Sequence, residues 1–313
     1  MSSQGRCYST RELQAAAAAL ATGQFAPGRR ATGAVIEVSS AEPGAAPHIE
    51  AGLTAGTGRC DAAPNPLRKH LGTLMRVRAA NAGAGASTVA LALAEAASGA
   101  GIRTRVLDAA APAWSGLVGA SGIELGARQG WRRGRRFGGV LIDRVEVPVL
   151  TAGVVPMPRD ADGIDLTVLD TGWTARELDA ATADSRVNPQ GCWIGAAPAD
   201  VEVVVTRPHT LALGQAEAVL AALDETPTVV VMVGGRSGSV FAAAGPRLRR
   251  QHEHHNVVFV PLLPDKALPG LGPEALPKQL LSSAQRLLDR ITTFTGPLLS
   301  TSQGQIEENP TTC

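Results

Sequence analysis

Along the chain, apolar positions gather in short runs that alternate with longer segments of helical character. Seven runs read as strands, several of them valine-rich and without polar alternation: 73–79 (TLMRVRA), 103–107 (RTRVL), 147–151 (VPVLT), 165–169 (DLTVL), 201–206 (VEVVVT), 228–233 (TVVVMV) and 257–262 (VVFVPL). Residues 86–99, 174–184, 211–224, 238–251 and 274–292 read as helices between them. Strands that are apolar on both faces and alternate with helices call for a covered, parallel sheet. The expected fold is therefore α/β, doubly wound, with a mostly parallel sheet of about seven strands and helices on both faces. Ligands of such sheets bind beyond the carboxyl ends of the strands, where the loop after the first strand would meet those bearing Asp108 and Asp170.

This pattern occupies residues 71–293, the expected folded domain. Ahead of it, Ser9 and Glu12 make a capping box before an alanine run, which predicts a short helix over 9–21 in an amino-terminal arm, residues 1–21. Residues 22–70 are rich in Gly, Pro and Ala and hold too little apolar surface to offset the entropy of ordering. They predict a largely disordered linker, with AVIEV (34–38) as an isolated strand or docking segment. Residues 294–313 predict a loose tail.

Composition narrows the picture. Hydrophobic residues make up 44% of the 313 but aromatics only 3%, so the core must be built from Val, Leu and Ala. With a net charge of +1, attraction to nucleic acid or anionic lipid has to come from a local patch. Cys7, Cys60, Cys192 and Cys313 stand far apart with no C-x-x-C pair, which argues against a disulfide framework or zinc ribbon and points to the cytoplasm. No apolar run approaches the roughly 20 residues of a membrane helix, and the first residues lack the apolar stretch of a secretory signal.

Chemistry concentrates in NAGAGASTVALALAEAAS (81–98), which has the glycine spacing and following helix of a phosphate-binding loop. Such a loop points backbone N–H groups and a helix N-terminus at the anion, with a lysine on the outer phosphates and a Ser or Thr hydroxyl on Mg²⁺. Gly83 and Gly85 can supply the turn, and Ser87 or Thr88 the hydroxyl, but the lysine position holds Ala86.

The ordered series formed by this loop with GIRTRVLDAAAP (101–112), LTAGVVPMP (150–158), DLTVLDTGW (165–173), ADVEVVVTRPHTLALGQAEAVLAAL (199–223) and NVVFVPLLPDKAL (256–268) resembles the ParA/MinD family of P-loop ATPases. The resemblance spans about residues 73–292. It places the family's K-G-G-x-G-K-[ST]-T on Asn81, Ala82, Gly83, Ala84, Gly85, Ala86, Ser87 and Thr88, so both lysines are replaced. The family's D-x-D falls on Asp108, Ala109 and Ala110, and its Walker B aspartate on Asp170. PLLPD (261–265), with Pro264 and Asp265, retains the proline-rich turn that frames the base, and Ser87 would hold Mg²⁺ where nucleotide binds. A charge-assisted contact contributes about 1.5–3 kcal/mol, so two lost lysines would carry a micromolar site to roughly millimolar or beyond. Phosphoryl transfer depends on positioned charge, so no useful ATPase activity is expected; Asp108 and Asp170 would be vestigial.

Outside the loop, GARQGWRRGRRFGG (126–139) sets Arg128, Arg132, Arg133, Arg135 and Arg136 around Trp131 and Phe137, a composition suited to salt-sensitive DNA contact or to a solvated, acid-paired loop. His252, His254 and His255 read as cations at a helix end rather than metal ligands. The resemblance then implies a non-hydrolysing positioning or scaffold factor, in DNA partition or transfer or in localising a division or secretion machine. A protein partner is expected, in a homodimer or in a heterodimer with an active family member, with Mg-ATP held weakly or not at all. Two alternatives stand beside it: an active partition ATPase whose cations come from elsewhere, such as Arg207 or Arg236, and a nucleotide-independent DNA-binding accessory protein using the arginine segment.

Overall fold

The computed structural model describes residues 71–160, 163–183, 192–223, 226–235, 240–264 and 266–298. The arm, the linker with AVIEV and most of the tail lie outside the described residues, as do Arg236 and Asp265. In chain order the elements are β1 (Thr73–Ala79), α1 (Ala86–Gly99), β2 (Thr104–Asp108), β3 (Ile123–Arg128), β4 (Trp131–Arg135), β5 (Leu141–Val145), β6 (Leu166–Asp170), α2 (Ala175–Ala183), α3 (Trp193–Ala196), β7 (Val201–Thr206), α4 (Thr210–Ala221), β8 (Thr228–Val233), α5 (Pro246–Glu253), β9 (Val257–Val260) and α6 (Lys278–Thr295).

The strands form one open nine-stranded sheet in the order β3-β4-β5-β2-β6-β1-β7-β8-β9. Pairing is parallel from β5 to β9, and β4 pairs antiparallel with both β3 and β5. The architecture is the expected α/β sheet, consistent with a P-loop NTPase-like fold. The chain passes from β1 over β6 to β2 on one side and from β6 over β1 to β7 on the other, so the switch point lies at the carboxyl ends of β1 and β6.

One expected strand is absent and three unexpected ones are present. Residues 147–151 form a bend that runs into a single 3₁₀ turn, Ala152–Val154. Pro148 has no N–H to give a ladder, and Leu150 is 91% exposed. The sheet positions fall instead to β3, β4 and β5, whose charges hide their strand character: β3 is exposed at every residue, β4 reads WRRGR and β5 reads LIDRV. Elsewhere proline trims the expected elements. Pro261 follows the last residue of β9, Pro246 opens α5 at its first turn after a separate 3₁₀ turn at Val240–Ala243, and Pro277 caps α6.

Helices α1 and α6 cover one face of the sheet, burying Met75, Val77, Val106, Ile142, Val168, Val203 and Val231. On the other face α2 and α3 lie over Leu74, Leu107, Trp131, Leu169 and Trp193, while α4 and α5 lie over Val204, Val230 and Met232. At about 1.5–3 kcal/mol per fully buried large aliphatic chain, these contacts dominate the stabilisation. Buried charge shares the second face. Glu202, fully buried, pairs with Arg76 at 2.6 Å and with Arg78 at 2.8 Å. Asp143, also fully buried, pairs with Arg133 at 2.7 Å and lies 3.7 Å from Arg105. Burial pulls Arg105 down to about 10, against the opposing field of Asp143. Among the described residues no helix is long and apolar enough to cross a membrane.

Candidate functional site at the carboxyl ends of β1, β2 and β6

The segment Ala80–Gly85 has the backbone shape expected of a phosphate loop. Gly83 and Gly85 adopt φ of 69° and 99°, and the Ala84 N–H bonds the Asn81 carbonyl at 3.2 Å to close the turn. Left-handed geometry at both sites selects glycine. Gly85 is the N-cap of α1 without any side-chain cap, and no acid occupies the first turn, so the helix N-terminus offers its N–H groups to an anion.

Side chains around the loop depart from the resemblance. Asn81 accepts a 3.3 Å hydrogen bond from the Thr206 hydroxyl, tying the first lysine position to β7. Ala86 begins α1 and brings no charge. Arg207 donates to the Gly83 carbonyl from Nε at 3.2 Å and from Nη2 at 2.9 Å, which sets a cation against the loop from the end of β7. Thr88 lines a cavity of about 190 Å³ with Gly85, Val89, Arg207, Val233, Pro261, Leu262 and Leu263. Pro264 stands outside that lining; its carbonyl instead accepts from the Ala267 and Leu268 N–H groups. Within PLLPD (261–265), Pro261, Leu262 and Leu263 line this cavity and Pro264 does not.

Asp108 and Asp170 end adjacent strands and are register partners. Both are buried, at 0% and 1% exposure. Asp108 accepts from the Ser115 hydroxyl and, at 3.1 Å, from the Ala110 N–H. Ser87 and the Gly172 N–H are hydrogen-bonding neighbours of Asp170, whose Oδ2 has no partner. Burial raises both carboxyls, and the neighbouring Asp108 adds to the effect on Asp170, which is pushed up to about 7. Two carboxyls so placed share their protons as a pair.

Two close approaches fix this arrangement. A Cβ on Gly116 would meet the Ser87 Oγ at 2.8 Å, so the turn after β2 lies directly on the hydroxyl proposed to hold Mg²⁺. Gly172, at φ 65°, crosses Ala110 so tightly that a Cβ there would lie 2.4 Å from the Ala110 Cβ. Ser115, Gly116 and Gly172 are marked in the chain only as small turn residues.

The arginine segment is a β-hairpin, not a loop. Arg132 pairs with Glu146, Arg133 pairs with Asp143, and Arg136, 3% exposed, pairs with Glu95 at 2.6 Å while donating to the Ala120, Gly272 and Glu274 carbonyls. The buried Arg136 is therefore out of reach of nucleic acid, and Arg128 and Arg135 are the exposed members. His252 stacks on Phe241 with ring centroids 3.8 Å apart, and the described residues hold no group of three His, Cys, Asp or Glu side chains placed for a metal.

No protein-family model matches the chain, and no curated protein matches it. Among solved structures, the MinD protein of Pyrococcus horikoshii complexed with Mg-ADP is similar at 14% identity and a TM-score of 0.45, over 74% of this chain and 100% of that one. MinD from Aquifex aeolicus is similar at 14% identity and 0.45, over 69% and 97%. A ParA family ATPase from Chlorobium tepidum is similar at 13% identity and 0.39, over 71% and 97%.

Proposed function

We propose that this chain is a ParA/MinD-like protein that has kept the nucleotide cradle's shape without its chemistry, and that it works as a positioning or scaffold factor in DNA partition or transfer, or in localising a division or secretion machine. The replacement of both loop lysines, by Asn81 and Ala86, carries the reading. Asp108 and Asp170 are buried register partners, and Ser87 is a hydrogen-bonding neighbour of Asp170. Gly116 lies against the Ser87 hydroxyl, where a Cβ would meet Oγ at 2.8 Å. No lysine stands at positions 81 or 86. Without either lysine, this donor set would hold magnesium triphosphate weakly or not at all. Large apolar side chains exposed on the loops beyond β2 and β5, Trp114 at 83% and Leu150 at 91%, support a protein partner.

A second reading is favoured by Arg207 alone, whose guanidinium reaches the Gly83 carbonyl and could replace a lysine in an active ATPase. Purified protein with Mg-ATP separates the two. The scaffold reading expects no phosphate release above a protein-free control and no ATP-dependent rise in melting temperature. Turnover abolished by both Arg207→Ala and Asp170→Ala would establish the second reading instead.

A further inference from the structure

A polar concavity lies between the turn of the β3–β4 hairpin and residues 156–160, and shares no lining residue with the cavity beside Thr88. Its volume is about 710 Å³, and it is lined by Arg128, Gln129, Arg133, Pro156, Met157, Pro158, Arg159 and Asp160. We propose that it binds a dianionic phosphate group, either free phosphate or the phosphate of a small monoester.

One wall is a strap whose carbonyls are fixed at alternate residues by buried side chains. Trp193 Nε1 donates to the Val155 carbonyl at 3.0 Å, Trp131 Nε1 to that of Met157 at 2.8 Å, and Arg105 Nη1 to that of Arg159 at 2.7 Å. The facing wall is the hairpin turn, where Gln129 and Gly130 both take positive φ, 55° and 81°. That turn presses on the strap: a Cβ on Gly130 would meet Pro156 Cγ at 2.9 Å. The concavity is thus held open between two braced elements, which lowers the ordering cost of binding.

Its charge is unbalanced. Arg128, Arg133 and Arg159 line it and Arg105 lies behind Asp143, against Asp143 and Asp160; four cations less two anions leave an excess of two positive charges. Arg132, Arg133 and Arg136 of the hairpin segment are held in ion pairs, whereas Arg128 is exposed and Arg159 half-buried. Guanidinium forks match phosphate oxygens, and a phosphate monoester carries about −1.5 to −2 near neutral pH. Pro156, Met157 and Pro158 offer an apolar bed for the rest of a monoester. A walled concavity favours a small ligand over the open track that duplex DNA needs.

Isothermal titration of the full chain at low ionic strength, with inorganic phosphate in one arm and phenyl phosphate in the other, tests the assignment. Saturable binding of at least one probe is expected, weakened about tenfold or more by Arg128→Ala and by Arg159→Ala, and less by Arg159→Lys. Arg132→Ala, outside the concavity, and Arg207→Ala, at the glycine loop, should leave it unchanged. Tighter binding of phenyl phosphate identifies a monoester as the occupant, and equal binding identifies free phosphate. No binding of either probe, loss in Arg207→Ala, or equal losses in Arg132→Ala and Arg159→Ala would each overturn the proposal. The Arg207 variant also separates this site from the nucleotide cradle, whose reading stands or falls independently.

Discussion

Replacing Asp170 with asparagine should make the protein more stable, and only at pH values where the carboxyl pair is under strain. Asp170 sits beside Asp108 with Oδ2 unpartnered and with its carboxyl pushed up to about 7, first by burial and then by the neighbouring charge. The unfolded chain loses this proton near pH 4, the folded chain near 7. Below the unfolded value both states are protonated and the group contributes nothing; as pH rises from about 4 to 7 the folded state alone retains the proton, so stability falls, and above 7 the full penalty is present. At about 1.4 kcal/mol per pH unit, that interval corresponds to about 4 kcal/mol, part of which belongs to Asp108 because the two titrate together. Asp170→Asn keeps the shape, leaves an acceptor for Ser87 and offers an N–H₂ toward Asp108. The expected gain is about 2–4 kcal/mol at pH 8, vanishing toward pH 4. Urea denaturation followed by tryptophan fluorescence between pH 4 and 9 measures it. A variant equal to or weaker than the parent at pH 8, or a difference that does not change with pH, would refute the idea that the acids are confined against each other.

Three other outcomes follow from the same structure. Gly172→Ala forces a Cβ into Ala110 at a positive φ and should cost about 2 kcal/mol or more, read as a lower urea midpoint with an unchanged slope. Glu202→Gln leaves Arg76, itself lowered chiefly by burial, without its counter-charge and should cost about 3–5 kcal/mol in the same assay; a loss under 1 kcal/mol would mean the pair is hydrated. Trp131→Phe removes the N–H that holds the Met157 carbonyl, and is expected to cost about 1 kcal/mol and to speed hydrogen exchange around residues 155–159.

What the chain determined by itself was the central sheet and the loop. Strand β8 is a near-continuous apolar run, and β7 is one but for Glu202, because both are covered on two faces, so their composition declares them; β1 keeps Leu74, Met75 and Val77 around Arg76, and the glycines at 83 and 85 mark a turn that no other residue adopts cheaply. Strands β3, β4 and β5 were illegible for the opposite reason. Their arginines and Asp143 look solvated in one dimension, and only the register of β4 on β5, with β2 alongside, supplies the counter-charges that let Arg105 and Arg133 be buried. The site divides the same way. Missing lysines can be read from spacing, whereas the pairing of Asp108 with Asp170, the closure of Gly116 on Ser87 and the reach of Arg207 to Gly83 join residues from separate loops. Long-range contacts such as these arise from the order in which strands enter the sheet, and no local periodicity encodes that order.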